Sequence, residues 1–225
     1  MSQIHERRAS PSPYIDTVWH SRNTSDGTYL ATPDGAWDLI VLIQADGSRS
    51  AMLAGQATKT ATVPYQAGTS SVVISFVAGA YLTCLSAETL VDRVEFLPNV
   101  DAEHFRLAGQ NFAFPSFEAA ETLVDSLVRA GLLAYDDIVQ QLLGGNGRAM
   151  STRAQQRHIA RVTGMTRKTL EQIRRAQVAV RMLQQGSRPA DVAADTGYSD
   201  QSHLTKSLKR LMSATPSDVD DIHKL

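Results

Sequence analysis

Apolar positions follow two rhythms along this chain. In the last third they recur at helical spacing, whereas in the first hundred residues they gather in short runs rich in β-branched side chains. The clearest helical stretch runs from Thr166 to Leu183. Leu170, Ile173, Val180 and Leu183 lie near helical spacing there, and no Gly or Pro interrupts. The pattern predicts one long helix acting as a stiff spacer.

On either side of the spacer the pattern predicts a pair of shorter helices. After it, a short helix with small apolar Val192 and Ala193 stops at Gly197, a residue suited to the left-handed backbone of a tight turn. Ser199 offers a cap to the next helix, and Asp200 favours the positive end of its dipole. Leu204, Leu208 and Leu211 fall at i, i+4 and i+7 and share one face, leaving Gln201, Ser202, Thr205, Lys206 and Lys209 on the other. Before the spacer, Tyr135 to Leu143 reads as a short helix broken by Gly144, Gly145 and Gly147. Ser151 or Thr152 then caps a helix over Arg153 to Val162, ended by Gly164. Arg153, Gln156 and Arg157 cluster on one side and Ile159 and Val162 on the other. Gln155 points to the apolar side, for which the pattern offers no reason. A polar face alone is the ordinary solvated side of an amphipathic helix. A short helix, a Gly turn and a capped polar helix in succession are the signature of a helix-turn-helix that reads double-stranded DNA.

The first half reads as β. Trp37 to Ile43 is a strand followed by Asp46-Gly47, a hairpin signal, and Ser50 to Leu53, Thr58 to Val63 and Ser71 to Val77 supply further strands. After Gly79 the pattern turns helical over Ala80 to Leu85, Glu88 to Val91 and Phe117 to Leu133, the last with Ser116 as a cap. The expected division is a polar N-terminal tail (1–13), a β-rich domain (14–115), a linking helix (116–134) and a double helix-turn-helix domain (135–225), an α+β chain.

Charge sharpens this division. Of 22 basic and 23 acidic residues, 13 and 7 fall in 151–225, so that region carries +6 and the preceding part −7, a contrast hidden by the net −1. A basic domain gains phosphate affinity by counterion release, and an acidic one is held off the duplex. Opposite charge could equally serve solubility or docking between the domains. The polar start lacks an apolar run, which points to a cytoplasmic protein without a membrane segment. The single cysteine, Cys84, permits no intrachain disulfide and reads as a buried structural thiol in its apolar surroundings.

The helical third resembles the double helix-turn-helix domain of the AraC/XylS family of bacterial transcription regulators. The resemblance rests on Ala193, Gly197-Tyr198-Ser199, Asp200 to Leu204, Lys206, Leu208-Lys209-Arg210 and Thr215-Pro216, with Gln156-Arg157, Gly164, Arg175, Ala179 and Leu183 before them. Leu204 and Leu208 replace the usual Phe, Ser213 replaces a Gly, and Arg167 stands where Pro is common. More loosely, Tyr14 to Trp19, Pro33-Asp-Gly35 with Trp37-Asp38-Leu39, Gly55 and Ala78-Gly79-Ala80 resemble the cupin-like N-terminal domain of some members. The resemblance implies that this domain senses a ligand, mediates homodimerisation, or both.

These readings assign DNA binding to Arg153, Gln156, Arg157, Gln201, Ser202, Thr205, Lys206 and Lys209, with His203 as a bordering polar contact. No catalytic residue, metal or cofactor is expected. A cupin-type metal centre needs converging His and carboxylate ligands, and His5, His20 and His104 lie outside the predicted central strands. Asp34 and Asp38 read as turn residues and Trp37 as core, while Tyr14 and Trp19 suit either a core or a ligand site. The acidic balance and the aromatics favour an uncharged or cationic small molecule, or a second subunit, as the partner of the β domain. The competing function is a metal-independent binding or catalytic β domain with a helical interaction module.

Overall fold

A computed structural model describes residues 3–144, 150–219 and 222. The N-terminal part contains β1 (Gln3–Arg8), β2 (Ile15–Asn23), β3 (Gly27–Ala31), β4 (Asp38–Ile43), β5 (Arg49–Ala54), β6 (Ala61–Tyr65), β7 (Ser70–Phe76) and β8 (Ala80–Leu82). It continues through α1 (Ala87–Leu90), β9 (Val94–Leu97), β10 (His104–Leu107), β11 (Gln110–Ala113), α2 (Ala120–Arg129) and β12 (Leu133–Tyr135). The helical part holds α3 (Asp137–Leu143), α4 (Thr152–Thr163), α5 (Arg167–Gln184), α6 (Pro189–Asp195) and α7 (Gln201–Met212). A β-rich domain followed by an all-α domain is the architecture the sequence predicts. Among the described residues no helix is long and apolar enough to cross a membrane.

Six strands form an antiparallel sheet in the order β1-β2-β7-β4-β5-β9. Strand alternation puts Val18, Leu39, Val41, Ala51, Leu53, Val72 and Ile74 on one face, where all are buried. That face packs against Phe105 and Phe112 of the β10–β11 hairpin and Leu123, Val124 and Leu127 of α2. The β4–β5 turn forms at Asp46-Gly47, with Asp46 accepting from the Ser48 backbone at 2.9 Å. Trp37 is core, stacked on Phe76 at 3.8 Å and donating from Nε1 to Ala80 O at 2.8 Å.

Several expectations are corrected. The polar start forms an edge strand, β1, whose charged residues suit an exposed sheet edge. Arg8 secures it: the guanidinium grips Glu121 at 2.7 and 2.8 Å and donates twice to Phe117 O. The hydrogen bond from Arg8 holds the Glu121 carboxyl down at about 2. Ala80 to Leu82 is strand rather than helix, because β8 pairs with β12 and Asp136 N donates to Gly79 O at 2.9 Å. The linking helix spans only Ala120–Arg129, with Leu133 returning to extended backbone. Ser116 caps the turn before it, accepting from Ala119 N at 3.2 Å. Cys84 is exposed, because the chain turns outward where β8 ends.

The helical part has its own core, built on Leu142, Ile159, Leu170, Ile173, Ala176, Val180, Leu204 and Leu208 among others. It docks on the β-rich part at separate points. Gly164, at φ 70°, backs onto α1 so closely that a Cβ would fall 2.7 Å from Ala87 O. Gln177 donates to Pro33 O at 3.3 Å, and Thr60 to Leu211 O at 2.9 Å.

Asp38, at the head of β4, has an Oδ1 shielded from solvent and without a hydrogen-bond partner. Burial, reinforced by the charges of Asp34 and Asp16, pushes its carboxyl up to about 8. The protein mass around Asp34 raises it to about 6, but its side chain opens to solvent, so water screens the effect. A carboxyl raised in the folded state costs nothing below its unfolded value near 4. It penalises folding increasingly as pH climbs from about 4 to about 8. Asp38→Asn is therefore expected to raise the melting temperature relative to wild type progressively across that window, by about 2–4 °C per kcal/mol of penalty removed. A difference that stays constant with pH would show that Asp38 does not titrate there.

Candidate nucleic-acid interface

The second helix-turn-helix begins at α6, which starts with Pro189 in its first turn and buries Val192 and Ala193. Gly197, at φ 75°, makes the turn that a side chain would strain. Asp200, not Ser199, caps α7, accepting from His203 N at 2.7 Å. Leu204, Leu208 and Leu211 are buried as their spacing predicts, joined by Ser207 and Met212. Gln201, Ser202, Lys206 and Lys209 face solvent, whereas Thr205 is half-buried and returns its hydroxyl to Gln201 O at 2.9 Å. Pro189, Thr215 and Pro216 border Gln201 and Thr205. His203 turns from the polar face toward the preceding turn, its Nδ1 lying 3.1 Å from Ser199 Oγ.

In the first unit Asp136 caps α3, accepting from Val139 N at 3.3 Å, and also meets His158 Nε2 of α4 at 2.9 Å. One carboxylate thus fixes the angle between the two helices. The expected breaks at Gly145 and Gly147 lie outside the described residues. Ser151 is the cap of α4, accepting from Ala154 N, and Gly164 ends the helix in the left-handed conformation. Ile159 and Val162 are buried while Arg153, Gln156 and Arg157 are exposed. Gln155 finds its explanation here: Nε2 donates to Met150 O at 2.8 Å and Oε1 accepts from Arg167 at 3.5 Å. The polar group on the apolar side is satisfied by the chain entering α4 and by the start of α5. Arg167 itself pairs with Glu171 at 2.7 Å.

The structure thus brings the predicted residues together as two exposed polar patches, one on α4 and one on α7, joined by the 18-residue α5. At a rise of 1.5 Å per residue α5 is about 27 Å long. Arg175 of α5 is also exposed, and in the sequence its only signal is its place in the family resemblance. Its guanidinium lies over Tyr198 at 5.6 Å. Among the described residues no group of three or more His, Cys, Asp or Glu is arranged to hold a metal ion.

Two capped helices with buried backs and polar fronts, each following a shorter helix, have the arrangement of a helix-turn-helix. Residues 148–221 match the helix-turn-helix domain family. The chain thus carries a helix-turn-helix domain behind a β-rich domain. No curated relative matches the chain. Solved structures similar to it include ToxT from Vibrio cholerae, at 10% identity and TM-score 0.46 over 99% of this chain and 100% of that one. A further ToxT structure, from Vibrio cholerae O395, is similar at 10% identity and TM-score 0.37 over 100% and 99%.

Ser213 closes α7 at φ 53°, a left-handed position that a Cβ disfavours. Ser213→Gly is expected to stabilise the domain by about 0.5–1 kcal/mol, the relief of left-handed strain exceeding the added freedom of the unfolded chain. Urea midpoints of the two proteins measure it, and a lower midpoint for the variant would contradict the strain argument.

Proposed function

We propose that this protein is a transcription regulator of the AraC type that reads a two-part DNA site, with α4 and α7 entering successive major grooves on one face of the duplex. Arg153, Gln156 and Arg157 address one segment, and Gln201, Ser202, Thr205, Lys206 and Lys209 the other. The observation that supports this reading is that both patches stand opposite faces buried in one shared core, which ties the two helices to the same spacer. Arg suits the paired acceptors of guanine, and Gln the donor and acceptor of adenine. The reading places the protein in the cytoplasm, as a double helix-turn-helix domain (135–225) behind a β-rich domain (14–115) that modulates it. That domain takes its input from a small molecule or from a second copy of the chain. Its direct contacts with α4, α5 and α7 support such modulation.

Two outcomes test the reading. The segments are expected about one helical turn, ~10 base pairs, apart. Inserting five base pairs between them should abolish high affinity in a footprint, whereas retained affinity would leave only one unit reading bases. Arg157→Ala or Gln201→Ala should each lower selectivity at one base position by about 1–3 kcal/mol. Equal weakening on every sequence would make that side chain a phosphate contact instead.

A further inference from the structure

We infer that Arg175 is a positioning residue: it fixes the second reading helix on the spacer helix, and the selectivity of the second unit depends on it. The inference rests on the two-unit reading above. Burial of Leu204, Leu208 and Leu211 holds α7 against the core, but apolar contact is non-directional and leaves rotation and sliding weakly specified. Directional contacts from α5 at the two ends of α7 supply what burial does not. Near the start of α7, Arg175 Nη1 donates to Gly197 O at 3.4 Å and the guanidinium covers the Tyr198 ring. Tyr198 is only 7% exposed and meets the His203 ring edge-on at 5.2 Å and 87°. His203 sits in the first turn of α7, and its Nδ1 accepts from Ser199 N at 3.4 Å. A continuous path therefore runs from α5 through the turn into the first residues of the recognition helix. Near its other end, Arg210 donates to Gln172 Oε1 at 3.1 Å. Gln172 and Arg175 are three residues apart and so lie on one side of α5.

The ring of Tyr198, rather than its hydroxyl, carries the path. The hydroxyl oxygen is buried and has no hydrogen-bond partner. Tyr198→Phe is accordingly a control that keeps the stack. Arg175→Lys keeps a charge near the ring but loses the planar donor fork, so it should restore the function in part.

The test is selection of bound sequences from a random-duplex library by the full chain, comparing wild type with Arg175→Ala, Arg175→Lys and Tyr198→Phe. Arg175→Ala should keep the base preferences of the first segment and lose those of the second by about tenfold. Tyr198→Phe should match wild type, and Arg175→Lys should fall between. Unchanged second-segment preference in Arg175→Ala overturns the inference. So does uniform weakening on both segments with a salt slope reduced by about one, which would make Arg175 a phosphate contact. A wild-type selection that yields only one segment refutes the two-unit reading instead. Amide exchange in DNA-free protein then decides the positioning claim: faster exchange from Gly197 to Thr205 in Arg175→Ala supports it, and unchanged exchange overturns it.

Discussion

The burial of one face of α5 is the constraint from which the helical domain follows. Ala176, Ala179 and Val180 are fully sealed, and Leu170, Ile173 and Leu183 nearly so. The first unit delivers Leu142 and Ile159 to this face, and the second delivers Val192, Leu204 and Leu208. Neither pair of short helices could bury enough apolar surface alone, since helices this short draw their stability from tertiary packing. Small residues at 176 and 179 let neighbouring helices approach closely, and the long side chains around them fill the remaining space. The spacing of the two polar patches is thus a consequence of packing, set before any DNA is met.

Docking of the β-rich domain uses other surfaces. Its contacts fall on Gly164, Gln177, the Leu211 backbone and the side chain of Leu170, which a Cβ on Gly35 would approach to 3.2 Å. None of these belongs to the patches on α4 or α7. The attachment is firmest at the first unit, where β12 pairs with β8 and leads directly to Asp136. Asp136 binds Gly79 through its backbone, caps α3, and holds His158 of α4. A shift of β8 would therefore reach α4 through Asp136 as well as through direct packing, whereas α7 accepts a hydrogen bond from the Thr60 hydroxyl.

The helical half was more legible in the sequence than the β half, for physical reasons. Periodicity at 3.6 residues, Gly164, Gly197 and the Ser151 cap are local signals, and local contacts dominate this domain. The helix ends at Thr166, Gly164 and Leu143 fall within a residue or two of where those signals place them. In the β half, of the strands with a core face, β4, β5 and β7 announce themselves by apolar runs, whereas β2, with Ile15 and Val18 buried, does not. β1, β8 and β9 do not, because what makes them strands is a partner far away in sequence. β1 is polar but for Ile4, and β9 exposes Val94 and Phe96, so neither carries the alternation of a half-buried strand. Gln155 and Thr205 show the same limit at the site. Their spacing gave the right side of the helix, but only the neighbouring chain reveals where their polar atoms are satisfied.

The charge asymmetry can now be weighed against its competing explanations. Opposite net charges on the two domains would favour docking most strongly through ion pairs across the interface. Most ion pairs among the described residues instead join groups within one part, as in Arg8–Glu121, Arg49–Glu103 and Arg188–Asp191, while Asp136, just before the helical region, pairs with His158 and Arg161 of α4. The close contacts between the parts are backbone carbonyls and small apolar groups. Attraction between the domains is thus left to longer-range fields, which salt screens over about 8–10 Å. Such fields matter most for a highly charged polymer. On the proposed reading, a basic helical part is drawn toward a duplex and an acidic β part is turned away, which would present α4 and α7 to the phosphates and keep the sheet out of the grooves.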